Sequence, residues 1–234
     1  MKTLRFVFVP LFATLLGAAP APAATGDGLR VLERVDPTFP TEVTLQGITR
    51  GIVSCVVDID AQGKVEDVLV TAHTHRSFAR EVREALPLWR FEPATLRGEP
   101  VPSQTQLTFT IEAVGVVVTM DSGSYLRNRI DDLFGLRWDY RTFTLKELDA
   151  IPVPQKTVVP SYSSQVAQRN RGSVRVDFYI DETGRVRVPI AQADAPTELG
   201  NAAVAAVRQW KFSPPLRNGR PVLAFVSQTF NFTP

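Results

Sequence analysis

One cysteine and two histidines in 234 residues leave little material for redox or metal chemistry. Cys55 has no intramolecular disulfide partner, and His73-Thr74-His75 lacks third and fourth ligands at a spacing that would close a zinc cage. Charge of one sign is scarce as well, since 26 Lys and Arg stand against 24 Asp and Glu for a formal net charge of +2. Phosphate-backbone binding needs a basic stripe, so no nucleic-acid partner is expected. Beyond residue 24 no apolar run is long enough to cross a bilayer. No nucleophile, base and orienting acid recur together, so no enzyme, catalytic residue, cofactor or metal site is expected. Asp58-Ile59-Asp60 with Gly63 lacks the downstream bidentate Glu of a calcium loop and reads as a turn.

What is present begins at the N-terminus. Lys2 and Arg5 precede an apolar run from Phe6 to Leu16, and Ala21-Pro22-Ala23 offers small residues where a signal peptidase reads, so residues 1–23 are expected to be a cleaved signal peptide. The alternative is an uncleaved anchor, because Phe6 to Ala24 is 19 residues long, close to the roughly 20 that span a bilayer. Pro10, Gly17, Pro20 and Pro22 interrupt that stretch and favour cleavage. Removal of Lys2 and Arg5 would leave 24 basic against 24 acidic residues, a formally neutral exported chain. In that compartment Cys55, inside the alternation Val53, Cys55, Val57, Ile59, reads as a buried small hydrophobe.

The chain also repeats itself. Shifted by 121 residues, positions 51–111 align with 172–232 without a gap, and 16 of the 61 positions are identical. The landmarks run end to end: Gly51 with Gly172, Ile59-Asp60 with Ile180-Asp181, Gly63 with Gly184, Trp89 with Trp210, Phe91 with Phe212, Pro100-Val101 with Pro221-Val222, and Thr108-Phe109 with Thr229-Phe230. Two homologous domains follow: 29–112 and 145–234, joined by a connector, 113–144, with a helix expected through Tyr125 and Leu133.

Each unit opens with an alternating strand, whose inward set is Val53, Cys55, Val57, Ile59 or Val174, Val176, Phe178, Ile180. Asp60-Ala61-Gln62-Gly63 and Asp181-Glu182-Thr183-Gly184 place Asp at the start of a turn and Gly where φ is positive, which returns the chain as a hairpin. A helix follows, roughly Ser77 to Leu86 in one copy and started by Thr197 as cap in the other. The closing strand alternates again, with Leu107, Phe109 and Ile111 on one face and Gln104, Gln106, Thr108 and Thr110 on the other. The expected class is α+β: two small domains, each a three-stranded antiparallel sheet of hairpin, helix and strand, with helices on one face.

A Pro-Thr-Phe-Pro lead-in at 37–40, a Gly-x-Val strand ending Ile-Asp-x-x-Gly-x-Val, a helix ending Trp-Arg/Lys-Phe-x-Pro, then Gly-x-Pro-Val and a last strand together resemble the TonB C-terminal domain, twice over. The resemblance implies a Gram-negative envelope protein facing the periplasm. It also implies a fold that seizes a short peptide of an outer-membrane TonB-dependent transporter and passes on energy from inner-membrane motor proteins. With the hairpin first and the last strand beside strand one, the second and last strands are expected as edges. Pro189 blunts the former in the second copy. The Val222 to Phe232 strand is therefore expected to take an extended segment of a transporter or other envelope partner by β-augmentation, along Leu223, Phe225, Ser227, Thr229 and Asn231. Secondary candidates are Gln104, Gln106, Thr108 and Tyr162. Alternatives are a short membrane-anchored energy transducer, since the long spacer of a transducer is absent, and a structural protein that self-associates through its sheet edges.

Overall fold

The computed structural model describes residues 29–96, 98–121, 137–162, 172–192, 195 and 197–232. The expected signal peptide and the helix through Tyr125 and Leu133 lie outside the described residues. In the first repeat β1 (Arg50–Ile59) and β2 (Val65–His73) form the hairpin, α1 (Arg76–Ala85) follows, and β3 (Ser103–Glu112) returns beside β1. Two further strands enlarge the sheet: β4 (Gly115–Asp121) and β5 (Tyr140–Arg141), in the order β4-β3-β1-β2-β5. The second repeat has β6 (Phe143–Thr144), β7 (Gly172–Ile180), β8 (Val186–Ala191), α2 (Thr197–Val207) and β9 (Ala224–Phe232), ordered β6-β9-β7-β8. All neighbours are antiparallel except β6 and β9, which run parallel.

The two cores follow from the alternation. Val53, Cys55, Val57 and Ile59 meet Phe78, Ala79 and Val82 of α1, while Val174, Val176, Phe178 and Ile180 meet Leu199, Ala203 and Val207 of α2. His75 caps α1 through Nδ1, which accepts from the Ser77 N–H at 3.2 Å. Thr197 is the first residue of α2 rather than its cap. Pro87 sits in a single 3₁₀ turn, Leu86–Leu88, that ends the first helix just before Trp89.

The repeated landmarks form one physical unit in each copy. Asp60 Oδ1 accepts from the N–H groups of Gln62 and Lys64 at 2.9 and 2.8 Å, and Asp181 Oδ1 does the same for Thr183 and Arg185 at 2.9 and 3.0 Å. Gly63 and Gly184 then take φ of +79° and +81°, and their carbonyls accept the Phe91 and Phe212 N–H groups, each at 2.8 Å. Both tryptophans are buried, and their indole N–H groups clip the lead-in backbone: Trp89 to the Val35 carbonyl at 2.7 Å and Trp210 to the Val158 carbonyl at 2.8 Å.

The sheet faces that the helices leave bare pack against each other. Val56 and Leu69 of the first repeat meet Tyr179, Val188 and Leu223 of the second in a third buried cluster, flanked by Tyr140 and Phe225. Around it Asp67 pairs with Arg187 at 2.6 Å, Asp58 faces Arg208 at 3.7 Å, and Gln104 donates to the Val188 carbonyl at 3.2 Å. Full burial of such apolar side chains contributes roughly 1.5–3 kcal/mol each, against about 0–1 kcal/mol for a partly exposed ion pair. The apolar cluster therefore dominates. The contact is close to isologous: Asp58, Asp67 and Gln104 occupy the positions equivalent to Tyr179, Val188 and Phe225. Duplicate faces meet, polar at these positions in the first copy and apolar in the second.

Candidate functional site

The two closing strands differ in what lies beyond them. In the first repeat the chain turns after Glu112 and comes back as β4, which pairs with β3 from Gln106↔Asp121 to Glu112↔Gly115. Val116, Val118 and Met120 pack on the first core, so this strand is held by burial as well as by its ladder. The first closing strand is thus interior, which corrects the expectation that it is an edge. Gln104, Gln106 and Thr108 line no open path. Gln104 instead bonds Asp58 Oδ1 at 2.7 Å and reaches the second repeat, while the Thr108 hydroxyl lies 3.3 Å from that of Ser54.

In the second repeat β9 pairs with β7 without interruption from Gly172↔Phe232 to Ile180↔Ala224. On its other side β6 covers only Ala224 and Phe225. The Phe143 N–H donates to the Leu223 carbonyl at 2.9 Å, which fixes which residues face outward. With a strand period of two, Phe225, Ser227, Thr229 and Asn231 turn their backbone groups to that same side. From Val226 to Phe232 no described strand covers this side.

The five predicted residues divide into two groups. Leu223 is fully buried in the cluster between repeats, and half-buried Phe225 lies edge-on to Tyr179 with ring centroids 5.3 Å apart. These two hold the repeats together rather than lining an accessible path. Ser227, Thr229 and Asn231 are exposed along the open edge. The Ser227 hydroxyl donates to the buried Asp177 carboxylate, and the Thr229 carbonyl accepts from the Gln228 side-chain amide at 2.9 Å. At the far end Tyr162 packs edge-on against Phe232 at 5.2 Å. The edge offers hydrogen-bonding groups and small polar side chains, with no charged residue between Ala224 and Phe232.

Three titratable groups elsewhere are shifted by burial. Burial pushes the Cys55 thiol up to about 12, leaving it without thiolate at neutral pH. Burial likewise lowers His73 to about 4, where the ring stacks on Tyr140 at 5.3 Å. Asp58 is raised, chiefly by burial, in the contact between repeats. Among the described residues no group of three or more His, Cys, Asp or Glu is placed to hold a metal ion.

β4 and β6 were not anticipated from sequence. The alternation Val116, Val118, Met120 carried a signal for the first. Phe143-Thr144 is too short for periodicity to find.

The family profile described as Gram-negative bacterial TonB protein C-terminal matches at residues 35–111 and again at 158–234. The chain belongs to the TonB C-terminal family. It is 30% identical over 99 residues to Protein TonB of Yersinia enterocolitica, covering 42% of this chain and 36% of that protein. It is 31% identical over 91 residues to Protein TonB of Pseudomonas aeruginosa, covering 38% of this chain and 26% of that protein. The chain thus spans only about a third of the length of these relatives. A solution structure of the Pseudomonas aeruginosa TonB C-terminal domain aligns at 30% identity with a TM-score of 0.33, covering 38% of this chain and 90% of that one.

Proposed function

We propose that this tandem TonB-C protein is an exported, periplasmic binding protein whose second domain takes an extended segment of an outer-membrane TonB-dependent transporter, or of another envelope protein, as an added strand on β9. The observation that carries this reading is the edge from Val226 to Phe232, whose outward backbone groups face no described strand. Main-chain pairing there supplies affinity, and the polar side chains of Ser227, Thr229 and Asn231 set which residues of the partner fit beside them. No catalytic step is assigned to the chain; its contribution is recognition.

Hydrogen exchange read residue by residue tests this, with synthetic peptides spanning the periplasmic N-terminal segments of such transporters. Strand addition slows exchange at Ser227, Thr229 and Asn231, the uncovered outward-facing positions, and leaves β3 unchanged. Protection confined to the first repeat, or none, would contradict it. Export is checked by N-terminal sequencing of the protein from a Gram-negative envelope. A start at Ala24 in the soluble fraction fits a free periplasmic binder, and an intact start in the inner membrane favours the anchored transducer.

A further inference from the structure

We propose that residues 139–147 act as a built-in competitor for the second domain's open edge, so that a partner strand reaching the start of β9 must displace them. The proposal rests on the edge reading above and adds a regulatory contact to it. Phe143 and Thr144 already do in cis what an added strand does: they lie parallel to β9, opposite Ala224 and Phe225, with the Phe143 N–H on the Leu223 carbonyl.

The extent of the contact marks it as displaceable. β4 seals the first domain's closing strand over seven residue pairs, as the second arm of a hairpin. β6 covers β9 over two pairs and leaves the rest open. A partner paired along the outward positions from Leu223 to Asn231 makes more main-chain bonds than β6 does, so full occupation outcompetes it once that partner is present in sufficient concentration. The competitor belongs to the same chain and is fastened to the first domain beside β9, so it has an effective concentration that a free partner lacks. An incoming strand therefore meets an edge whose free form is a minor state, and its apparent affinity falls by that fraction.

The same segment holds the first domain. The Asp139 N–H donates to the His73 carbonyl at 3.1 Å, and the Thr142 hydroxyl donates to the Thr71 carbonyl at 3.0 Å. Tyr140 stacks on His73 and donates to Glu182 of the second domain at 2.5 Å. On the other flank the Phe143 ring lies between the guanidinium groups of Arg141 and Arg217, at 4.3 and 4.8 Å, and Arg141 pairs with Glu147 at 3.0 Å. Peeling β6 from β9 thus pulls on the residues that fasten the connector to β2. Occupation of the second domain's edge is linked in this way to the hold of the connector on the first.

The test uses the full chain and the competitor itself as probe: a fluorescein-labelled nonapeptide with the sequence of residues 139–147. A Thr142→Ala/Phe143→Ala variant removes the bond to Thr71 and the ring between the arginines while leaving β9 untouched. The nonapeptide binds this variant at least about tenfold more tightly than wild type, with amide shifts at Phe225 to Thr229 of the ¹⁵N-labelled protein. Equal affinity for both proteins, with the variant's melting curve retained, overturns the proposal. Should the variant fail to fold, wild type alone decides. Excess unlabelled nonapeptide accelerates exchange of the protein's own Phe143 amide, and unchanged exchange refutes the competitor. Transporter peptides that bind wild type and variant equally at β9 would sink the competitor and leave the edge reading intact. No engagement of β9 by any peptide would remove both.

Discussion

Gly63 and Gly184 lie where the chain leaves no room for a side chain. A Cβ at either would fall 1.9 or 2.0 Å from the carbonyl oxygen of Phe91 or Phe212, and φ near +80° adds backbone strain for any other residue. Gly184→Ala should therefore destabilise the protein by about 2–4 kcal/mol, read from the midpoint of a urea titration; a loss below the scatter of surface substitutions would mean the hairpin relaxes freely. His73 supplies a second test at this scale. Burial, its largest influence, lowers its pKa from 6.5 to about 4. The unfolded chain takes up this proton first, so the contribution of neutral His73 is full above pH 6.5 and is lost as pH falls toward about 4. His73→Phe keeps a ring against Tyr140 and removes the titration. Its stability should fall less than wild type across that window, and superimposable pH profiles would contradict the assignment.

β9 is the element on which the proposed function turns. Thr229 carries its N–H on the side of β9 away from β7, so Thr229→Pro should preserve the fold and abolish strand addition, where the same change at Val226, whose backbone faces β7, should unfold the sheet. Retained peptide binding in Thr229→Pro would show that pairing is not at this edge. Phe225→Asp, attractive from sequence alone, is a poorer probe because Phe225 packs on Tyr179 between the repeats. The hairpins, the helices and both inward-facing sets were legible in the sequence because each rests on local periodicity and on Asp and Gly turn chemistry. The edges were legible only in the second repeat, where β8 is an edge and β9 is open beyond Phe225; in the first repeat β3 is interior, because an edge is defined by what else arrives beside it. β4 is brought to β3 by a local hairpin, but two-residue β6 reaches β9 from 81 positions away, held by Thr71, Arg217 and Glu147, which no local pattern links.

At the scale of the molecule, the two domains behave as a pseudo-dimer on one chain. Asp58 and Asp67 pair with Arg208 and Arg187 of the second copy, where the first copy carries Pro87 and Glu66, so a first copy suits a second copy better than another first copy. Val188 takes φ of +42°, rare for a β-branched residue, and its carbonyl accepts from Gln104 at 3.2 Å. Strain is thus held where the repeats meet. Leu223 is fully buried there, and Leu223→Asp would place an unpaired charge in the cluster. Thermal unfolding of wild type should show one cooperative transition and that of Leu223→Asp two, as the domains uncouple; a single transition in the variant would mean the cluster does not join them.

Strand addition at β9 is tested most directly in cells, by a photo-crosslinking amino acid placed in turn at Ser227, Thr229 and Asn231, with Val117 on the exposed face of β4 as the control position. Adducts with an outer-membrane transporter or another envelope protein at the three β9 positions, lost in a Thr229→Pro background for the other two, are the expected result. Adducts that form equally at Val117, or only between copies of this chain, would contradict it.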